Sequence, residues 1–280
     1  MRRARSSDGV QLAIHDLGGR PARPPLLLVH GTGFCAQVFA RLAVQLSSAF
    51  HCWALDLRGH GLTITPEGLD FAWSGFAEDV LAAVDGLAIE GPPAAVGHSA
   101  GGAALLLAEA ARPGTFSALW CYEPIVWPEP AAARERAESL ADGARRRRSA
   151  FPSRDDAYAN FSSKPPLNAL APACLRAYVE HGLEDDPAGG VALRCRPDVE
   201  AAVYLQGVAG NRFGRLAEVK GPVVVGCGAR TEAVTPALAQ RVVDALPDAR
   251  LRVFNRLAHF GPLEDPQRVG EAILADLRGG

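Results

Sequence analysis

Ser99 lies in Gly97-His98-Ser99-Ala100-Gly101, within the run AAVGHSAGGAAL, and Gly102 follows directly. A simple turn needs one or two glycines; three around a single serine imply two backbones that almost touch. G-x-S-x-G between an apolar run and a helical run is the signature of a nucleophile elbow, a strained turn that lifts the hydroxyl above a sheet edge. The helix beginning there aims free N–H groups and its dipole at the point where negative charge would develop. A serine hydroxyl is a weak nucleophile near neutral pH. It needs a base in hydrogen-bond reach, and the base needs an orienting carboxylate. The chemistry indicated is attack on an electrophilic carbonyl.

In this architecture the chain order is serine, acid, histidine. Of seven histidines, only His181 and His259 follow Ser99. His181 falls in an irregular region. His259, in VFNRLAHFGPLEDP, falls between the last predicted strand and the last predicted helix. That is the carboxyl edge of the sheet, where ligands collect in open α/β folds, so His259 is the expected base. Glu232 is the one carboxylate in the loop of VVVGCGARTEAVTP and is the first choice for the acid. Glu123, closing FSALWCYEP one strand earlier, is the alternative, while Asp244 and Asp248 read as surface charge on the next helix and its exit. A tetrahedral oxyanion needs fixed N–H donors, each worth ~2.7–4 kcal/mol of barrier. The expected donors are the Ala100 amide and one from the Thr32–Gly33 stretch of LLLVHGTGF, where glycine lets the backbone approach closely.

These residues need elements to hold them. VQLAIHDLG, PPLLLVHGTGF, HCWALDLRGHG, AAVGHS and FSALWCYEP read as strands, with helices in AQVFARLAVQLSS, FAEDVLAAVDGLAI and AGGAALLLAEAA between them. In the second helix Phe76, Val80, Val84 and Leu87 share a face. The rhythm resumes with GPVVVGCG, TPALAQRVVDAL, ARLRVFN and PQRVGEAILADL. Alternating strand and helix with short links predicts an α/β fold, a parallel sheet wrapped by helices on both faces. Between roughly 126 and 215 no strand stands out; three stretches there read as helical, the last being RPDVEAAVYLQGVAG. The run Arg145–Arg148 reads as a solvated helix face.

The 280 residues suffice for one large domain or a domain with an insertion. A net charge of −2 gives no electrostatic case for nucleic acid or an acidic membrane surface. The basic start lacks the apolar stretch of a secretory leader, and no apolar run is long enough to span a bilayer. Six scattered cysteines form no C-x-x-C pair and no metal-ligand spacing. They read as small buried hydrophobes, in a cytoplasmic setting. No G-x-G-x-x-G or P-loop spacing appears, so neither cofactor nor metal is expected.

Together these stretches resemble the α/β-hydrolase superfamily. HGTGF, DLRGHG, GHSAGG, GARTEAVTP and AHFGPLEDP come in the family's order, over about residues 8–125 and 216–280. The resemblance implies a mostly parallel eight-stranded core over 1–125 and 216–280, with a helical cap over 126–215. It maps nucleophile onto Ser99, base onto His259, and oxyanion donors onto the Thr32 and Ala100 amides. Family members most often carry Asp in the acid loop, so Glu232 there is a departure. The family's epoxide hydrolases and haloalkane dehalogenases use Asp at the elbow, and Ser99 speaks against both. The expected function is hydrolysis of a small carboxylic ester, thioester or lactone through an acyl-enzyme. Hydrolytic C–C cleavage and cofactor-free perhydrolysis could use the same residues. A ligand-binding receptor with little turnover is the alternative from another class. In the cap, Trp127, Phe151, Tyr158, Phe161 and Tyr178 offer an apolar lining for the substrate.

Overall fold

The apolar runs become strands because their alternate side chains reach two different covering layers. In the computed structural model, which describes residues 1–128, 130–207 and 212–277, eight strands form one sheet. They are β1 (Arg2–Arg5), β2 (Gln11–Gly18), β3 (Pro25–Val29), β4 (His51–Asp56), β5 (Ala94–His98), β6 (Ala118–Tyr122) and, late in the chain, β10 (Val223–Gly228) and β11 (Ala249–Phe254). Their spatial order is β1-β2-β4-β3-β5-β6-β10-β11. Only β2 runs against the others, pairing antiparallel with β1 and β4. The remaining pairings are parallel.

Leu27 and Val29 of β3 point into one apolar layer, Leu26 and Leu28 into the other, and all four are fully buried. A strand covered on both faces has no polar side to show, hence the unbroken PLLLV. Helices α2 (Trp73–Leu87), α3 (Ala100–Ala111) and α8 (Pro236–Ala245) cover the first face. Helices α1 (Ala40–Leu46) and α10 (Pro266–Leu277) cover the second. The fold is therefore α/β, with a mostly parallel sheet between helical layers. Sequence patterning finds seven of the eight strands. The eighth, β1, is Arg-Arg-Ala-Arg, an edge strand without apolar alternation.

Between β6 and β10 the chain forms α4 (Pro130–Arg146), α5 (Arg154–Ser162), α6 (Pro172–Gly182) and α7 (Pro197–Gln206). The expectation that this stretch holds no strand is corrected. β7 (Ala150–Phe151), β8 (Leu183–Asp185) and β9 (Val191–Leu193) make a small antiparallel sheet in the order β7-β9-β8. Strands of two or three residues are too short for a period-two pattern to register. Residues 208–210, the end of the last stretch read as helical, lie outside the described residues. All six cysteines are buried and unpaired. Among the described residues no helix is long and apolar enough to cross a membrane.

Candidate active site

Ser99 joins β5 to α3 with φ 54° and ψ −115°, a left-handed conformation that non-glycine residues seldom adopt. Such strain persists only where the surroundings over-determine it. Here the Ser99 amide donates to the Tyr122 carbonyl (2.9 Å). A Cβ on Gly97 would come within 2.6 Å of Gly102 Cα, and one on Gly101 would collide with the Val29 carbonyl oxygen. The elbow glycines are present because strand, turn and helix leave no room for a methyl group.

His259 follows β11, just before the short helix α9 (Gly261–Glu264). Its Nε2 lies 3.2 Å from Ser99 Oγ and its Nδ1 lies 2.7 Å from Glu123 Oε2. A carboxylate can only accept, so Nδ1 carries the proton and Nε2 is free to accept from the serine hydroxyl. The loop around His259 is fixed on all sides. The Tyr122 hydroxyl donates to the Ala258 carbonyl (2.8 Å), and His98 Nε2 donates to the His259 carbonyl (2.8 Å). Glu264 accepts from the Ala258 and Phe260 amides, each at 2.9 Å. Burial raises the pKa of Glu264, against the pull of those two amides. Burial also holds the His98 imidazole well below its ordinary pKa, with His259 alongside adding to the effect.

The acid beside His259 is Glu123, and the first choice, Glu232, is corrected. Glu123 is fully buried, just past the end of β6, at φ 46°. Besides His259 it accepts from the Gly228 amide (3.0 Å), the Thr231 hydroxyl (2.8 Å) and the Val234 amide (3.4 Å). The loop after β10 thus supplies donors to the acid instead of the acid itself. Glu232 is exposed on the cavity rim, and it has no hydrogen bond or ion pair among the described residues.

Of the three expected oxyanion donors, two remain open. Ala100 is the first residue of α3, where an amide has no intrahelical acceptor. The Thr32 amide likewise donates to no acceptor among the described residues. Gly33 is corrected: its amide donates to His60 Nε2 (3.0 Å) and is not available to a substrate. The same ring donates from Nδ1 to the Arg58 carbonyl (2.8 Å). His30 works in parallel, donating to the Gly31 carbonyl (2.8 Å) and accepting from the Leu57 amide (3.2 Å). Burial, and then the neighbouring His60, push His30 down to about 3. Burial also lowers His60. These two neutral rings hold the loop after β3 against the loop after β4. Asp56 adds to the tie by accepting from the Ala36 (2.7 Å) and Leu62 (2.8 Å) amides.

A cavity of about 460 Å³ opens over Ser99 and His259, walled by Trp73, Trp127, Leu140 and Tyr204 among others. A second, of about 550 Å³, adjoins it through Thr32, Phe34, Leu140 and Phe260. One face of α4 covers both, with Ala133, Ala137 and Leu140 over the first and Gly143 and Ala144 over the second. Trp127 lines the first cavity and Phe161 and Tyr178 the second, but Phe151 and Tyr158 line neither. Phe151 is buried against Phe161 at 5.2 Å, and Tyr158 lies beneath Arg176. The Arg145–Arg148 run is not wholly a solvated face: Arg147 turns inward to Glu200 (2.5 Å) and the Tyr178 hydroxyl (2.9 Å). Burial works against its charge, yet Tyr178 and Glu200 raise its pKa.

The profile described as "Alpha/beta hydrolase family" matches residues 26–272, most of the chain. The chain belongs to the alpha/beta hydrolase family. It is accordingly an enzyme of the hydrolase class. Among curated proteins it is 35% identical over 83 residues to an uncharacterized hydrolase of Saccharomyces cerevisiae, a match covering 30% of this chain and 28% of that protein. It is 39% identical over 84 residues to protein phosphatase methylesterase 1 of Mus musculus, covering 29% of this chain and 22% of that one. The match thus spans about a quarter of the length of these relatives. Two solved structures share the fold from end to end. E-2-(acetamidomethylene)succinate hydrolase superposes with a TM-score of 0.85 at 22% identity, covering 99% of both chains. A thermophilic esterase from Thermogutta terrifontis superposes with a TM-score of 0.76 at 20% identity, covering 100% of this chain and 98% of that one.

In this hydrolase one of the features that sequence reasoning misplaces carries a recoverable signal. The alanine spacing Ala133, Ala137, Ala141, Ala144 marks the inward face of α4, and it continues to Arg147. The ring contacts of His30 and His60 join loops 27 residues apart, and no local pattern announces them. Among the described residues no three His, Cys, Asp or Glu side chains converge to hold a metal ion.

Proposed function

We propose that this chain is a serine esterase, hydrolysing a small carboxylic ester, thioester or lactone through an acyl-enzyme. The observation that carries this reading is the unbroken line from Ser99 Oγ through the His259 ring to Glu123. His259 takes the serine proton as Oγ attacks the carbonyl carbon. The Thr32 and Ala100 amides receive the oxyanion, and Glu123 steadies the imidazolium. His259 then protonates the departing alcohol or thiol, and afterwards takes a proton from the water that attacks the acyl-serine. That releases the acid and restores the hydroxyl. Residues 126–215 act as the lid that selects the substrate, a small molecule with an electrophilic carbonyl. A reducing cytoplasmic setting suits six buried thiols with no disulfide among the described residues.

The test pairs a fluorophosphonate label with a panel of short esters, thioesters and lactones. The wild-type chain should label at Ser99 and turn over at least one panel class. Ser99→Ala should abolish labelling and lower kcat by roughly 10³-fold or more. Turnover undiminished in the Ala variant removes Ser99 from the mechanism. Tight ligand binding without labelling or turnover makes the protein a receptor.

A further inference from the structure

Four charged side chains line the cavity that contains Ser99: Arg136, Arg230, Glu232 and Glu264. Glu264 is occupied by the Ala258 and Phe260 amides. Arg230 and Glu232 are exposed at the solvent side. Arg136 differs from all three. It projects from α4, which roofs the cavity, and packing leaves it only half-exposed. Among the described residues its side chain has no hydrogen bond, ion pair or ring contact, and Glu232 on the same cavity wall does not reach it.

A guanidinium has five N–H donors and never loses its charge, so withdrawing it from water without an acceptor is costly. Among the described residues no acceptor meets it, and an anion in the cavity would supply one. Within the Ser99 cavity two arginines balance two glutamates, and a positive excess lies beside it. In the adjoining cavity Arg146, Arg147, Arg148 and Lys164 stand against the single carboxylate Glu200. The chain as a whole carries a net charge of −2, so this positive lining is local and would draw anions toward the opening.

We propose that this hydrolase acts on an anionic ester, one bearing a carboxylate on its acyl or its alcohol portion, and that Arg136 binds that carboxylate while Ser99 attacks the ester carbonyl. The proposal rests on the esterase reading above. The planar fork of arginine matches a carboxylate with two parallel hydrogen bonds, which fixes the substrate's direction as well as its charge.

The test compares kcat/KM for two matched pairs. Monomethyl glutarate against methyl 5-methylhexanoate places the charge on the acyl side, and 4-acetoxybenzoate against 4-isopropylphenyl acetate places it on the leaving group. In at least one pair, Arg136→Gln should lower the ratio of anionic to neutral kcat/KM by roughly 10- to 100-fold, because glutamine keeps one donor nitrogen and loses the second hydrogen bond together with the charge. The loss should fall mainly on KM for the anion, and Arg136→Lys should recover part of it. The pair that responds tells which side carries the carboxylate. Independently of turnover, glutarate should raise the Tm of the wild type more than that of Arg136→Gln. An unchanged ratio in both pairs overturns the proposal wherever the neutral esters are hydrolysed. If no ester is hydrolysed and Ser99 stays unlabelled, Arg136-dependent stabilisation by glutarate keeps the anion site and refutes only the esterase reading. Without that stabilisation both fall.

Discussion

Replacing Glu123 by Gln removes one charge and changes one atom type, at the side chain held most tightly in the site. Glu123 receives four donors, with His259 Nδ1, Thr231 Oγ1 and the Val234 amide on Oε2 and the Gly228 amide on Oε1. A glutamine has one acceptor oxygen and one donor group to present to them. If its oxygen faces His259, the amide nitrogen opposes the Gly228 N–H, and the imidazolium loses its counter-charge. If it flips, its N–H₂ forces the imidazole proton onto Nε2, and Ser99 then meets a donor instead of a base. Either way the catalytic step should slow by about 10³- to 10⁴-fold, or ~4–5.4 kcal/mol of barrier. The one buried donor left unmatched costs a further ~1–3 kcal/mol of stability, a Tm lower by roughly 2–10 °C for a chain of this size. Glu232→Gln alters an exposed side chain without a partner among the described residues and should change kcat by less than about twofold. The assay is kcat and kcat/KM on a short aryl acetate, with calorimetry on the same preparations. If Glu123→Gln keeps more than about a tenth of the wild-type rate, or Glu232→Gln loses as much, Glu123 is not the acid and the geometric argument fails.

Two further outcomes can be measured. Gly101→Ala drives a methyl group into the Val29 carbonyl, so it should leave little folded protein, whereas Gly143→Ala on α4, with open space around it, should express normally; soluble yield and circular dichroism decide, and a stable Gly101→Ala variant refutes the close-packing account of the elbow. Acidification should weaken the fold. His30 ionises at about 3 when folded and near 6.5 when unfolded, so the unfolded chain binds the extra proton between those values. Stability from this group is therefore complete above about pH 6.5 and declines as pH falls toward 3, by roughly 2 kcal/mol at pH 5. Burial of His60 and His98 acts in the same direction. Urea unfolding at pH 7 and pH 5 measures the loss, and equal midpoints would contradict it.

The elbow is legible in the sequence because its glycines answer a steric demand that any strand-to-helix turn of this kind makes. His259 is legible by its position after the last strand. Glu123 ranks second because nothing local announces the left-handed residue after β6 that turns its side chain toward β10. Chain order favours the later loop, where Glu232 points to solvent. Gly33 misleads for a related reason: a backbone amide in a glycine turn looks free until a distant ring claims it. The small sheet β7-β9-β8 and the edge strand β1 escape notice because one is too short and the other too charged for hydrophobic periodicity. The main sheet, buried on both faces, is apolar enough for seven strands to be plain.

Tyr122 and Glu123 are consecutive residues at one strand end, and each holds a different part of the same distant segment. The tyrosine grips the backbone just before His259, and the glutamate grips its ring. Ser99 hangs from the same place, its amide bonded to the Tyr122 carbonyl. Any slide or tilt of that strand end therefore carries Ser99, His259 and Glu123 along as one block.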